Sequence, residues 1–84
     1  MINDNFECFI CRRGGSLHKH HCLHGIRRKA ADKYDLTVWL CPECHQRLHD
    51  HGDGDLMLER LAQRHFEAEH GHDEYMRIFG KNYL

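Results

Sequence analysis

Two cysteine pairs, Cys8-x-x-Cys11 and Cys41-x-x-Cys44, stand 29 residues apart in this chain. Each pair sits on a spacing that turns two sulfurs toward one point, and four thiolates complete the tetrahedral shell of Zn²⁺. A shell with no open position makes the expected ion structural, not a participant in chemistry. Its binding, about 10–16 kcal/mol in small zinc peptides, exceeds the folding free energy that so short a chain usually has. A redox pair or a disulfide framework competes for the same residues, and two spaced pairs in a short chain favour zinc. The fifth cysteine, Cys22, is then left over and reads as a buried free thiol acting as a small apolar side chain.

Ten histidines accompany them. His45 and His49 are four apart on a helix expected to begin at Pro42, so their rings project from one face, one turn apart. Cys44 points about 100° away around the same helix and can serve the zinc cage without competing. His20-His21 lies in a segment that reads as extended, where neighbouring side chains face opposite ways and must do different things. One ring could complete a three-histidine site for a divalent ion. The other, with an ordinary pKa of about 6.5, could take a proton from water near neutral pH. An open divalent ion beside a neutral imidazole suits the hydrolysis of a phosphodiester. His18 shares strand parity with His20. His24, His51, His65, His70 and His72 have no spacing that singles them out and read as surface or structural.

The elements that must position these groups are short. Phe6–Ile10 and Leu36–Leu40, rich in aromatic and β-branched residues, read as strands abutting the two cysteine pairs. His18–Leu23 reads as a third extended piece, and Arg27–Tyr34 as a short helix or loop. Gly52-Asp53-Gly54-Asp55 is a turn. Beyond it Leu58, Leu61, Ala62, His65 and Phe66 form the stripe of an amphipathic helix capped by Asp53 or Asp55, with Gly71 past its end. A second helix, capped by Asp73 and carrying Tyr75, Met76, Ile78 and Phe79, stops at Gly80. The expectation is one domain over 1–84: a metal-bound core at 6–51 and a helical extension at 52–84.

Eighty-four residues bury too little surface for an apolar core to suffice alone, and a mean hydropathy of −0.77 sharpens the need for a staple. The longest apolar runs are four residues, against the 18 or more of a membrane span, so no membrane partner is expected. The acidic start lacks the basic and apolar regions of a secretory signal, and the expected compartment is the cytoplasm. Net charge is −1, yet residues 1–51 carry eight Lys or Arg against six Asp or Glu, while 52–84 carry four against seven. A polyanion would approach the first half, where Arg12-Arg13 and Arg27-Arg28-Lys29 are the basic clusters.

Cys8-x-x-Cys11, His20-His21 and Leu40-Cys41-Pro42-Glu43-Cys44-His45-Gln46-Arg47-Leu48-His49, in this order, resemble an HNH endonuclease of the zinc-stapled kind. The likeness covers residues 6 to about 51. The Arg77–Tyr83 ending is similar to that of small HNH-like prophage proteins. The resemblance implies a small α+β metal-bound domain, with a treble-clef, ββα-metal core followed by two C-terminal helices. It implies that His20 binds a catalytic divalent metal (Mg²⁺, Mn²⁺, Ni²⁺ or Zn²⁺) together with His45 and His49. His21 would be the general base for cleaving DNA to 5′-phosphate and 3′-hydroxyl ends. Arg27, Arg28 and Lys29 would contact the DNA backbone. The Asn that orients the base in this family should lie nine residues before His45, where Leu36 stands with Asp35 beside it. Asp35 takes its place after a one-residue shift, or a backbone carbonyl does, or cleavage is slow or absent. Two other readings use the same residues: a non-catalytic zinc module docking on nucleic acid or a phage or host protein, and a homodimer formed through the C-terminal helices.

Overall fold

The computed structural model describes residues 1–52 and 54–84. Its sheet is small: strand β1 (His18–His21) runs antiparallel to β2 (Thr37–Leu40), with His18 opposite Leu40 and His21 opposite Thr37. Between them a 3₁₀ turn at Gly25–Arg27 leads into helix α1 (Arg28–Lys33). The chain then forms α2 (Pro42–His51), α3 (Asp55–His70) and α4 (His72–Phe79). The result is an α+β architecture with two strands and four helices among the described residues.

β2 is the central element because Thr37, Val38 and Leu40 are all buried, as suits a run rich in β-branched and apolar residues. The N-terminal segment lies along it through hydrogen bonds from Ile2 N to Thr37 O (2.7 Å) and from Phe9 N to Trp39 O (2.8 Å). This segment is not the expected strand at Phe6–Ile10. Phe6 and Arg12 have φ of 58° and 67°, and Cys8 N donates to Arg13 O while Arg12 N donates to Cys8 O. The reason is geometric: in a strand, residues three apart face opposite sides, so the chain must curl for Cys8 and Cys11 to face one point.

Pro42 opens α2 at a position where a missing N–H is harmless, and the Cys41 sulfur accepts from Cys44 N at 3.4 Å. α3 begins one residue after Gly54, so Asp55 lies in its first turn instead of capping it, and Asp53 lies outside the described residues. Gly71, at a positive φ of 84° that favours glycine, separates α3 from α4, which places Asp73 inside the first turn of α4 and not at its cap. Gly80 ends α4 in the left-handed region, as expected.

One contiguous buried cluster runs from Cys8 through Leu23, Leu36 and Leu58 to Phe79. The helical extension therefore shares the core. Leu58, Ala62 and Phe66 bury one face of α3, and Phe66 meets Phe79 at 5.3 Å and, edge-on, Tyr34 of the core at 5.1 Å. Of the expected stripe, Leu58, Ala62 and Phe66 are covered within the chain, Leu61 is half-buried and His65 is exposed. Gln63, fully buried, accepts from Tyr83 N and donates to Asn82 Oδ1, both at 2.7 Å, and so pins the final residues. No helix among the described residues is long and apolar enough to cross a membrane.

Candidate functional site

The four paired cysteines converge. Cys8 and Cys11 come from the curled N-terminal segment, Cys41 from the end of β2 and Cys44 from the first turn of α2, and their sulfurs all lie within 4.8 Å of one another. Cys11 and Cys41 Sγ are 3.6 Å apart and every cysteine is a free thiol. That separation is far from a disulfide bond of about 2.05 Å. It is close to the edge of about 3.8 Å that follows from Zn–S bonds of about 2.3 Å in a tetrahedron. These four residues could hold a zinc ion. An Arg13–Glu43 ion pair at 2.9 Å ties the two cysteine turns together outside the cage. Cys22 stays apart from it: burial pushes its thiol up to about 12, so it is an inert, fully covered side chain.

The sheet then separates the two adjacent histidines. His20 turns inward and is only 4% exposed, while His21 turns toward α1. The His20 ring lies 5.4 Å from that of His45 and 5.3 Å from that of His24, and His45 lies 4.8 Å from His49. His18, on the same side of the strand as His20, reaches His45, Nδ1 to Nδ1 at 3.2 Å. Burial, followed by the neighbouring His24 and His45 rings, lowers the pKa of His20 to about 4, and burial with His49 and His18 lowers that of His45. His20 and His45 are thereby held toward their neutral forms, whose lone pairs can meet a cation. His20 Nε2 is buried without a hydrogen-bond partner among the described residues. A cavity of about 190 Å³ opens on it, bounded also by Lys19, His21, Arg28, His45 and His49.

The donor atoms that close to within 4.8 Å around His20 are those of His24 and Asp55. His45 and His49 adjoin His20 as rings but lie outside that donor set. Sequence reasoning missed His24 and Asp55, because His24 sits past the end of β1 and Asp55 arrives from a helix 31 residues later.

His21 Nε2 lies 3.2 Å from Asp32 Oδ1, and Lys19 Nζ reaches the same oxygen at 3.2 Å. Those two contacts, Lys19 first, hold the Asp32 carboxyl below its usual pKa. Asp35, expected beside the base, is placed elsewhere: it occupies the left-handed turn after α1 at φ 57°, with its exposed carboxylate 3.8 Å from the Met1 ammonium. The helix of α1 ends at Lys33, so the acid that faces β1 is the one within the helix and not the one in the turn. Arg27, half-buried, donates from Nε to Phe79 O at 2.9 Å and ties the 3₁₀ turn to α4. Arg28 and Lys29 are exposed beside a second, open cavity that His21 and Asp32 also line.

No family model, no curated protein and no solved structure matches this chain.

Proposed function

We propose that this protein is a metal-dependent endonuclease of the HNH type, in which a treble-clef finger stapled by zinc at Cys8, Cys11, Cys41 and Cys44 presents the imidazoles of β1 and α2 to DNA. The observation that carries this reading is the contact of Asp32 with His21, which shares the lining of one cavity with His20, whose Nε2 has no hydrogen-bond partner among the described residues. The residues fit a divalent ion on their own chemistry, because a buried neutral imidazole with no hydrogen bond is a ligand awaiting a cation. His20, with His45 and His49 beside it, would hold that ion, which when bound stabilises negative charge on the phosphoryl and leaving oxygens.

The chain's own residues do the rest. The Asp32 carboxylate accepts the N–H of His21 Nε2 and so holds the tautomer whose Nδ1 carries the free lone pair. Nδ1 takes a proton from a water molecule as its oxygen attacks phosphorus in line with the 3′ oxygen. A P–O bond to water forms, the P–O3′ bond breaks, the leaving 3′ oxygen takes a proton from solvent, and the ends are a 5′-phosphate and a 3′-hydroxyl. Arg28 and Lys29 hold neighbouring phosphates without reading sequence.

The test is relaxation and linearisation of supercoiled plasmid by zinc-loaded protein with added Mg²⁺, Mn²⁺, Ni²⁺ or Zn²⁺. Cleavage by the parent protein, lost in a folded His21→Ala variant, supports the reading, and persistent cleavage by that variant rejects the base. A zinc module that binds nucleic acid without cutting is the second reading, favoured by the completeness of the cysteine cage without any imidazole. It gives salt-dependent DNA binding and no product with any of the four ions.

A further inference from the structure

We propose that His20, His24 and Asp55 form a two-imidazole, one-carboxylate site for a borderline transition-metal dication of the Zn²⁺, Co²⁺, Ni²⁺ or Fe²⁺ class, which clamps the start of α3 to the end of β1.

Three observations place the donors together. One ligand atom from each residue lies within 4.8 Å of the others. His24 Nε2 and Asp55 Oδ1 are already 2.9 Å apart. His20 Nε2 has no partner among the described residues, on a side chain more than nine-tenths buried. An orphaned polar atom in such a place costs about 1–3 kcal/mol and calls for an explanation, which a cation supplies. For bonds of about 2.0–2.1 Å to nitrogen or oxygen, donors stand about 3.3 Å apart around a tetrahedral ion. Closure then asks for contraction of at most about 1.5 Å. His24 and Asp55 can supply it, since their side chains are 44% and 38% exposed and not locked by packing.

The chemistry selects the class of ion. Imidazole nitrogen with a single carboxylate suits zinc, nickel, cobalt and ferrous iron, whereas Mg²⁺ prefers oxygen ligands and keeps its waters. Three protein ligands leave a coordination position open, and a cavity of about 200 Å³ lined by the three donors with Leu48 and His49 gives access to it. Asp55 belongs to the helical extension and His20 to the core strand, so the ion would bridge the two halves of the chain. An ion shared with His45 and His49 would also draw on His20, so the two arrangements compete for one ring. The inference stands on these donors whether or not the chain cleaves DNA.

The experiment is a titration of the protein, loaded with one Zn²⁺ at its cysteines, with Co²⁺, read by visible absorption and calorimetry. The expected result is one further equivalent whose spectrum lacks sulfur-to-cobalt charge transfer and which a large excess of Mg²⁺ does not displace. Affinity should fall at least about 100-fold in His24→Gln and in Asp55→Asn, each checked for retained zinc and helicity. His24→Gln alters a half-exposed side chain and keeps the test valid should Asp55→Asn weaken α3. Absence of a second equivalent in the parent protein overturns the proposal, as does displacement by Mg²⁺. Loss of the ion in the His45→Gln/His49→Gln double variant with retention in His24→Gln and Asp55→Asn also overturns it, and leaves the nuclease reading intact. Cobalt binding that depends on His24 and Asp55 in a protein without plasmid cleavage sustains the site and rejects the nuclease.

Discussion

His21 Nε2 and Asp32 Oδ1 meet at 3.2 Å across the gap between strand β1 and helix α1, which orients an imidazole that the strand alone would leave free to rotate. If His21 is the base, its loss removes the roughly 10²–10⁴-fold that general-base catalysis supplies. Asp32→Asn should keep the fold and lower plasmid cleavage by about 10- to 100-fold, as loss of an orienting partner does. Asp35→Asn, whose carboxylate lies by the Met1 ammonium, should leave the rate unchanged. Equal rates for Asp32→Asn and the parent protein would refute the orienting role.

Zinc removal should unfold the chain. Apart from the exposed Arg13–Glu43 ion pair, the ion is what joins the cysteine turns, and a structural ion contributes about 10–16 kcal/mol in comparable small peptides. Chelation, or Cys41→Ser, is expected to abolish far-ultraviolet ellipticity, with metal analysis giving one zinc per folded parent molecule before any second-site ion is added. A chelated, metal-free protein that keeps its helices would contradict the cage.

The burial of His20 predicts a pH dependence of stability. Its folded pKa of about 4 lies below the ordinary 6.5, so between these values the unfolded chain binds a proton that the folded chain refuses. The associated stability is fully present above pH 6.5 and lost as pH falls toward 4, by roughly 2–4 kcal/mol in total. Ring-proton NMR of zinc-loaded protein without a second ion checks the origin: down to pH 5 the His20 resonance should stay at its neutral position. A His20 midpoint near 6.5 would mean that the ring is not enclosed as described.

Phe66 joins the extension to the core, in contact with Tyr34 at 5.1 Å and Phe79 at 5.3 Å. Phe66→Ala should cost about 3–5 kcal/mol in urea unfolding of the zinc-loaded protein. A loss below about 1 kcal/mol would show that the helical extension is not integral to the fold.

The basic residues separate by role. If DNA binds at this face, Arg28→Ala/Lys29→Ala should weaken it uniformly across sequences and reduce the salt slope by about 2, one for each phosphate left without its cation. Arg27→Ala should leave that slope alone and lower stability, because its guanidinium holds the Phe79 carbonyl. Filter binding at several salt concentrations distinguishes the two.

Cys-x-x-Cys turns, the Pro42 helix and the His45–His49 face are legible because each rests on a short spacing whose geometry the backbone dictates. The glycine stops at Gly71 and Gly80 are legible for the same reason, and so is the inward burial of Leu58, Ala62 and Phe66. Phe6–Ile10 has the aromatic composition of a strand, but the curl that a shared metal requires overrides it. The acid beside His21 and the third histidine beside His20 are not legible, since neither stands at a fixed interval from its partner.

The inventory of ligands and the local elements that carry them follow from the order of residues alone, because backbone periodicity acts within a few residues. That Asp32 and not Asp35 faces His21, that Arg27 ties down α4 and that Asp55 reaches His24 emerge from the packed chain. Such pairings depend on how α1 and α3 pack against the sheet. Packing sums many small attractions between residues far apart in the chain, and no single spacing records it.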